Sequence, residues 1–306
     1  MWGDLLTHGN VKESPFLSVS YPSEDAVEEV VGQCNVCGWQ GAFLKPEMDR
    51  EGTMCRNCSA SSRHRAVVYV VGTVLRQGGL PAFLWAANKT TAILESSARG
   101  SYPVMFADKF DYYAVEYDPA KIAERKHPRE YADFQKLHYA DQTFDLVIAS
   151  DVFEHVRRDE DGYREIHRVL KKGGTFVMTV PYDHDRPQTV VRVDTTGKED
   201  VHLMEPEYHG GGGHTLTYRS YGRDLLSLLR RIGYSVGHLT LSVPAYGITR
   251  QSVIVATKGD FIELTDGGPA VPSRKSLGML VPFRLFLLFK YNLGGFMHYG
   301  KQARRK

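Results

Sequence analysis

Cys34, Cys37, Cys55 and Cys58 are all the thiols in a chain of 306 residues. They form two Cys-x2-Cys pairs with seventeen residues between them. Each pair can make a tight turn that aims two thiolates at one point, and two such turns complete a tetrahedral zinc site. Four protein ligands leave no open position, so a metal held there is expected to be structural. Two redox-active pairs are the competing reading, and the paired spacing favours zinc. The segment is too small to own a core, so metal binding would supply its folding energy. Arg63-His64-Arg65 follows at once. It reads either as a phosphate or nucleic-acid contact or as a solvated helix start whose arginine stems pack on the cysteine turns. His64 is a further metal donor that four thiolates make unnecessary.

A second set of reactive residues sits at the ends of apolar runs. Thr91 to Glu95 (TAILE) ends in an acid and leads into Ser96-Ser97-Ala98-Arg99-Gly100. Tyr112 to Glu116 (YYAVE) ends in another acid about twenty residues later, the spacing that sets a carboxylate against ribose hydroxyls in nucleotide-binding α/β folds. Asp118 is the runner-up for that role. Phe144 to Ala149 ends in the polar pair Ser150–Asp151, with Glu154 and His155 one turn on. His155 is the candidate general base, because an imidazole titrates near neutral pH. The alternative is a histidine that only hydrogen-bonds a loop. Asp133 reads locally as a loop cap.

The elements that must position these residues follow from periodicity. The run DQTFDLVIASDVFEHVRRDEDGYREIHRVLKKGGTFVMTVPY covers residues 141–182. It holds a buried strand, an amphipathic helix from Asp159 to Leu170, a stop at Lys172-Gly173-Gly174, and a strand from Thr175 to Val180. That is a βαβ unit with polar residues at the strand C-termini, where open α/β sheets bind ligands. Further helices are expected over Ala66–Arg76, over Ala120–Arg125 behind Pro119, and over Arg223–Arg231. A closing hairpin is expected from Ser235–Leu241 and Ser252–Thr257.

FDLVIASDVFEHV and LKKGGTFVMTVP resemble the second half of a class I S-adenosylmethionine (SAM)-dependent methyltransferase domain, of the methyltransferase-11-like kind. The resemblance covers roughly residues 90–257. CRNCSASSRHR ahead of a helix resembles a bacterial subgroup in which a cysteine ribbon with an RHR-like turn precedes the catalytic domain. The resemblance implies an α/β, Rossmann-like, seven-stranded and mostly parallel sheet with helices on both faces, beside a small N-terminal zinc ribbon. It implies SAM as cofactor and zinc as structural metal. The family's glycine-rich turn falls on residues 96–100, where only Gly100 remains, while small residues such as Ser96 and Ser97 still permit close approach. By resemblance, Glu95 orients the methionine ammonium through its neighbours. Asp133 reaches the adenine amino group, Phe134 packs on the ring, and Ser150 and Asp151 flank the methionine end. The implied activity is methyl transfer to a small-molecule or sugar hydroxyl. An RNA methyltransferase using ribbon and arginines, and a non-catalytic scaffold of the same fold, are the alternatives.

After Pro181-Tyr182 about forty residues precede the next helix, a length that in a compact domain usually carries function. They include Asp183, His184, Asp185, His202, Glu205, Glu207, Tyr208, His209, Gly210 to Gly213 and His214. We read them as an acceptor-binding lid with a glycine hinge, their histidines solvated rather than metal-bound. The organisation expected is an arm at 1–30, the ribbon at 31–66, the methyltransferase-like domain at 67–257 and a tail at 258–306. A net charge of +2 is too small to argue for nucleic acid. Clustered cysteines point to a reducing cytoplasm. No signal peptide and no membrane span are expected. The apolar, arginine-interrupted stretch 277–293 suits a membrane interface or docking on the domain or a second subunit.

Overall fold

Residues 30–44, 51–119, 122, 130–209 and 215–260 are described by a computed structural model. The expected arm at 1–30 lies almost wholly outside them, as do most of the helix expected after Pro119, the glycine run, and the tail beyond residue 260.

Seven strands form the main sheet: β1 (Asn88–Ser96), β2 (Phe110–Glu116), β3 (Glu130–Tyr131), β4 (Phe144–Ser150), β5 (Leu170–Thr179), β6 (Tyr234–Val243) and β7 (Ile248–Lys258). Their spatial order is β6-β7-β5-β4-β1-β2-β3. The pairs from β5 to β3 are parallel, and β7 enters antiparallel to both β5 and β6. This is the expected Rossmann-like sheet. The chain order reverses between β1 and β4, so the crevice at their C-terminal ends is the switch point where such sheets take ligands.

Alternation along the strands divides the core in two. Ile93, Leu146, Ile148, Val177, Val253 and Val255 face one side. Leu94, Val147, Ala149, Phe176, Met178, Ile254 and Ala256 face the other. Both faces are covered, which is why these strands read as nearly unbroken apolar runs. Helix α1 (Ser62–Val74) and helix α2 (Tyr102–Lys109) cover the first face, while α3 (Asp159–Val169) and α4 (Asp224–Ile232) cover the second. Helix α3 carries Asp159, Glu160 and Asp161 in its first turn and His167 and Arg168 in its last, so its charges complement the helix dipole at both ends. Among the described residues no helix is long and apolar enough to cross a membrane.

Two boundaries differ from the sequence reading. Helix α1 begins at Ser62 rather than Ala66, because Ser61 caps it: its hydroxyl accepts from the His64 amide while the His64 ring reaches back to the Ser61 amide. Lys172-Gly173-Gly174 does not stop α3. The helix ends at Val169 and β5 starts at Leu170, so the glycines lie inside the strand at an irregularity of the β4–β5 pairing. A Cβ on Gly174 would stand 2.9 Å from the Lys171 carbonyl oxygen, which explains the need for glycine there.

Candidate active site

The cysteine pairs form two turns of the same design. Cys34 donates its amide to the Trp39 carbonyl and accepts from Gly38; Cys55 does the same with Ala60 and Ser59. Gly38 and Ser59 both take left-handed backbone, with φ of 75° and 58°. Four buried, unbridged sulfurs converge within 4.8 Å of one another. Cys34 Sγ lies 3.8 Å from Cys58 Sγ, and Cys37 Sγ lies 3.7 Å from Cys55 Sγ. Sulfurs about 2.3 Å from a tetrahedral zinc are roughly 3.8 Å apart, so the residues present fit the ion.

The turns are built into the domain. All four cysteines belong to the core that contains Ile93, Leu146 and Val177. Arg65 is fully buried. Its guanidinium donates to the Ala60 and Thr53 carbonyls on the ribbon side and to the Tyr246 and Gly247 carbonyls (2.8 and 2.7 Å) at the β6–β7 turn. It also stacks 4.2 Å over the Phe43 ring. The solvated reading of Arg65 is therefore corrected: five donors in a planar fork meet fixed carbonyls that water would otherwise have to satisfy.

Arg63 turns instead to the C-terminal edge of the sheet. Its guanidinium donates to Ser150 Oγ and to Glu51, and lies 3.4 Å from Asp151 Oδ2. Burial works against the charge, but Asp151 and Glu51 outweigh it and hold the Arg63 pKa above its usual value. Thr179 closes the group, with its Oγ1 3.0 Å from Ser150 Oγ and donating to Asp151 Oδ1 at 2.9 Å. Asp151 has a φ of 52°, and its amide is tied to the Thr179 carbonyl.

Next to this group lie the ends of β1 and β2. Glu95 is buried, and its two carboxylate oxygens accept from the Tyr102 and Tyr112 hydroxyls. Glu116 Oε2 accepts from Ser97 Oγ at 3.0 Å, and Arg99 Nε points to the same hydroxyl at 3.3 Å. Ser96, Ser97, Gly100 and Glu116 thus share one corner. Gly100 has a φ of 85°, and a Cβ there would stand 3.2 Å from the His64 ring. Burial, then the neighbouring Arg63 charge, lower the His64 pKa to about 4, so the ring packs there uncharged.

Asp133 and Phe134 lie just after β3. Asp133 Oδ1 accepts the Gln135 amide at 2.8 Å, closing its own turn. Phe134 is buried and stacks on Phe153 at 5.6 Å. Two exposed rings nearer Glu116, Tyr117 and Tyr131, face each other at 6.0 Å.

A cavity of about 450 Å³ is lined by Arg63, Thr179, Val180, Pro181, Tyr182, Asp183, Arg186, Ser220, Arg250, Gln251 and Ser252. The long segment after β5 folds back as short two-residue pairings. Its return is pinned: Arg219 donates to the Val156 and Arg157 carbonyls, and the Tyr221 hydroxyl contacts the Phe153 carbonyl and Asp159. His155 Nδ1 lies 2.8 Å from the Leu216 carbonyl, and its ring meets that of His209 at 4.7 Å.

The sheet order and these strand ends agree with what a family comparison finds: residues 96–178 match the model described as "Methyltransferase domain". The chain carries a methyltransferase domain. The sterol 24-C-methyltransferase ERG6 of Saccharomyces cerevisiae is 36% identical over 85 residues, which are 26% of this chain and 21% of that one. The sarcosine/dimethylglycine N-methyltransferase of Halorhodospira halochloris is 31% identical over 125 residues, 36% of this chain and 44% of that one. The chain thus spans less than half the length of these relatives. An S-adenosylmethionine dependent methyltransferase from Mesorhizobium loti superposes with a TM-score of 0.35 at 16% identity, over 55% of this chain and 89% of that one.

The residues at these strand ends to which sequence reasoning gave no role are Thr179, Tyr102 and Tyr112, and Arg63 was named without its place beside Ser150 and Asp151. The RHR triplet carried a signal for Arg63, but nothing in it separated the arginine that enters the site from the one that staples the ribbon. His209 was visible only as one histidine among several in a polar loop.

Proposed function

We propose that the chain is a SAM-dependent methyltransferase acting on a small polar acceptor, with a structural zinc in its ribbon. The observation that carries the cofactor reading is the corner where Glu95 and Glu116, ending adjacent parallel strands, flank the Ser96–Gly100 turn. Glu116 is assigned the ribose hydroxyls, where it would exchange its Ser97 partner for the sugar. Arg63, beside Ser150 and Asp151, is assigned the methionine carboxylate. The exposed rings of Tyr117 and Tyr131 are assigned to the adenine edge.

The sulfonium methyl is already activated, so the protein's task is to hold an acceptor in line with it. With Arg63 assigned to the cofactor, Arg186 and Arg250 in the lining of the polar cavity favour an acceptor with an acidic group. Of the two acceptor kinds named by the relatives, a small zwitterion suits that lining better than a sterol. A hydroxyl acceptor also needs somewhere for its proton to go. Nε2 of His155 is the candidate, since Nδ1 is occupied by the Leu216 carbonyl. The RNA reading loses its support, because Arg65 is buried and Arg63 serves the interior of the site.

Calorimetric titration of zinc-replete protein with SAM and with its demethylated product tests this. Micromolar binding of both, lost in Glu116→Ala, is expected. Absence of binding by folded protein would instead favour a non-catalytic scaffold.

A further inference from the structure

Glu154, His155 and His209 each bring one ligand atom within 4.8 Å of the others. We propose that these three side chains hold a divalent transition-metal ion at the sheet's C-terminal edge, distinct from the cysteine site. Three independent features of the fold support it.

The first is the tautomer of His155. Its Nδ1 meets the Leu216 carbonyl at 2.8 Å, and a carbonyl can only accept, so the proton sits on Nδ1. Nε2 is left with a lone pair, 4.0 Å from Glu154 Oε1. A histidine whose far nitrogen is fixed by a carbonyl is the usual arrangement of a metal-ligating imidazole.

The second is the burial of Glu154. It is fully buried, one turn beyond the end of β4. A carboxylate held out of bulk water next to an imidazole is a donor pair that a divalent ion can bind.

The third is that one hairpin serves both histidines. Tyr208–His209 pairs with Thr215–Leu216, so the strand that presents His209 faces the strand whose carbonyl fixes His155. Tyr218 donates its amide to the Glu154 carbonyl at 2.8 Å, which ties the same segment to the third ligand. Two imidazoles and one carboxylate suit iron, cobalt, manganese or zinc and leave coordination positions open for water or a ligand. Donors about 2.1 Å from one ion stand roughly 3 Å apart in cis positions, so the group must draw in slightly on binding.

The site stands on this geometry alone. Its further role, binding the acceptor hydroxyl, rests on the methyl-transfer reading. There the metal-bound hydroxyl would lose its proton to solvent, the oxygen would form a bond to the methyl carbon, and the carbon–sulfur bond would break with its electron pair kept by sulfur. His155 would then act as a ligand rather than as the proton acceptor.

The test uses full-length protein with zinc in the ribbon, titrated with Co²⁺ and read by its visible absorption and by elemental analysis. One cobalt per chain beyond the zinc is expected, without a thiolate charge-transfer band. His155→Ala and His209→Ala should each weaken it at least tenfold, with circular dichroism unchanged, while His184→Ala leaves it intact. Cobalt uptake insensitive to both variants, or no uptake at all, overturns the proposal. SAM titration of the same samples separates the two readings: SAM binding without cobalt binding sinks only the metal site, and cobalt binding without SAM binding sinks only the methyl-transfer role.

Discussion

Two groups of metal-competent side chains stand at opposite levels of locality. The four cysteines come from two copies of one turn within twenty-five consecutive residues, all buried, with every ligand position filled by protein. Glu154, His155 and His209 come from a strand end and from a hairpin more than fifty residues later, with both histidines only half-buried. A metal in the first arrangement would have no position left for a substrate and would serve to hold the chain together. The second begins one turn beyond Ser150 and Asp151 at the end of β4, and a metal held there would keep positions open. The contrast teaches that closure of the ligand set, and not the presence of a metal, separates a structural site from a chemical one.

The largest effect should come from breaking the closed group. Structural zinc contributes on the order of 10–16 kcal/mol in isolated ribbons, as much as a whole domain's net stability of about 5–15 kcal/mol. Here the cysteines share a core with the sheet, and Arg65 bonds ribbon carbonyls and β6–β7 carbonyls at once. Cys55→Ser is therefore expected to abolish the cooperative unfolding transition of the entire domain, followed by far-ultraviolet circular dichroism during a melt. A variant that keeps the sheet transition and loses only a small separate one would mean that ribbon and sheet are independent units.

The sequence carried these two groups very unequally. A ligand set confined to two tight turns is written in the spacing of its letters, so Cys34, Cys37, Cys55 and Cys58 can be grouped from that spacing alone. The sheet was legible for a similar reason: both its faces are buried, and each strand is a nearly continuous apolar run closed by Glu95, Glu116 or Ser150. The lid was not. His209 reaches His155 only through a hairpin of two residues per strand, too short for a periodic signal. Phe134 depends on both local and distant residues. Its resemblance to a ring-packing residue is carried by one local letter, while its burial against Phe153 depends on α3 packing from afar. The glycine-poor turn was puzzling for the same reason, since the ring that fills the space beside Gly100 belongs to His64, across the domain.

An intermediate effect should come from loosening the open group without touching it. The Tyr221 hydroxyl joins Tyr163, the Phe153 carbonyl and Asp159 in the interior, and so fastens the returning segment to the turn that carries Glu154 and His155. Tyr221→Phe removes the hydroxyl and leaves buried partners unmet, at a cost of about 1–3 kcal/mol. The denaturant midpoint should fall with an unchanged slope, and SAM affinity should stay within twofold because the β1–β2 corner is untouched. A large loss of SAM affinity would show the two sides of the edge to be one coupled unit.

The smallest effect is the part of the pH dependence that belongs to the cavity side. His238 on β6 hydrogen-bonds Ser252 at 2.8 Å and packs on Tyr182 at the cavity wall, 4.6 Å between ring centroids. Burial, with a lesser contribution from His184, lowers its pKa from the usual 6.5 to about 4. The folded ring stays neutral where the unfolded ring takes up a proton. Its contribution to stability is thus fully present above pH 6.5 and is lost as the pH falls towards 4. The cavity side should soften over that window, while acid release of a ribbon-bound zinc adds its own loss. Denaturant unfolding of the wild type and of His238→Gln across the window separates the two. The variant should show a shallower decline, with the ribbon and His64 accounting for what remains. If both proteins decline in parallel, the acid sensitivity lies wholly on the ribbon side, and the wall of the cavity is wetter than its packing implies.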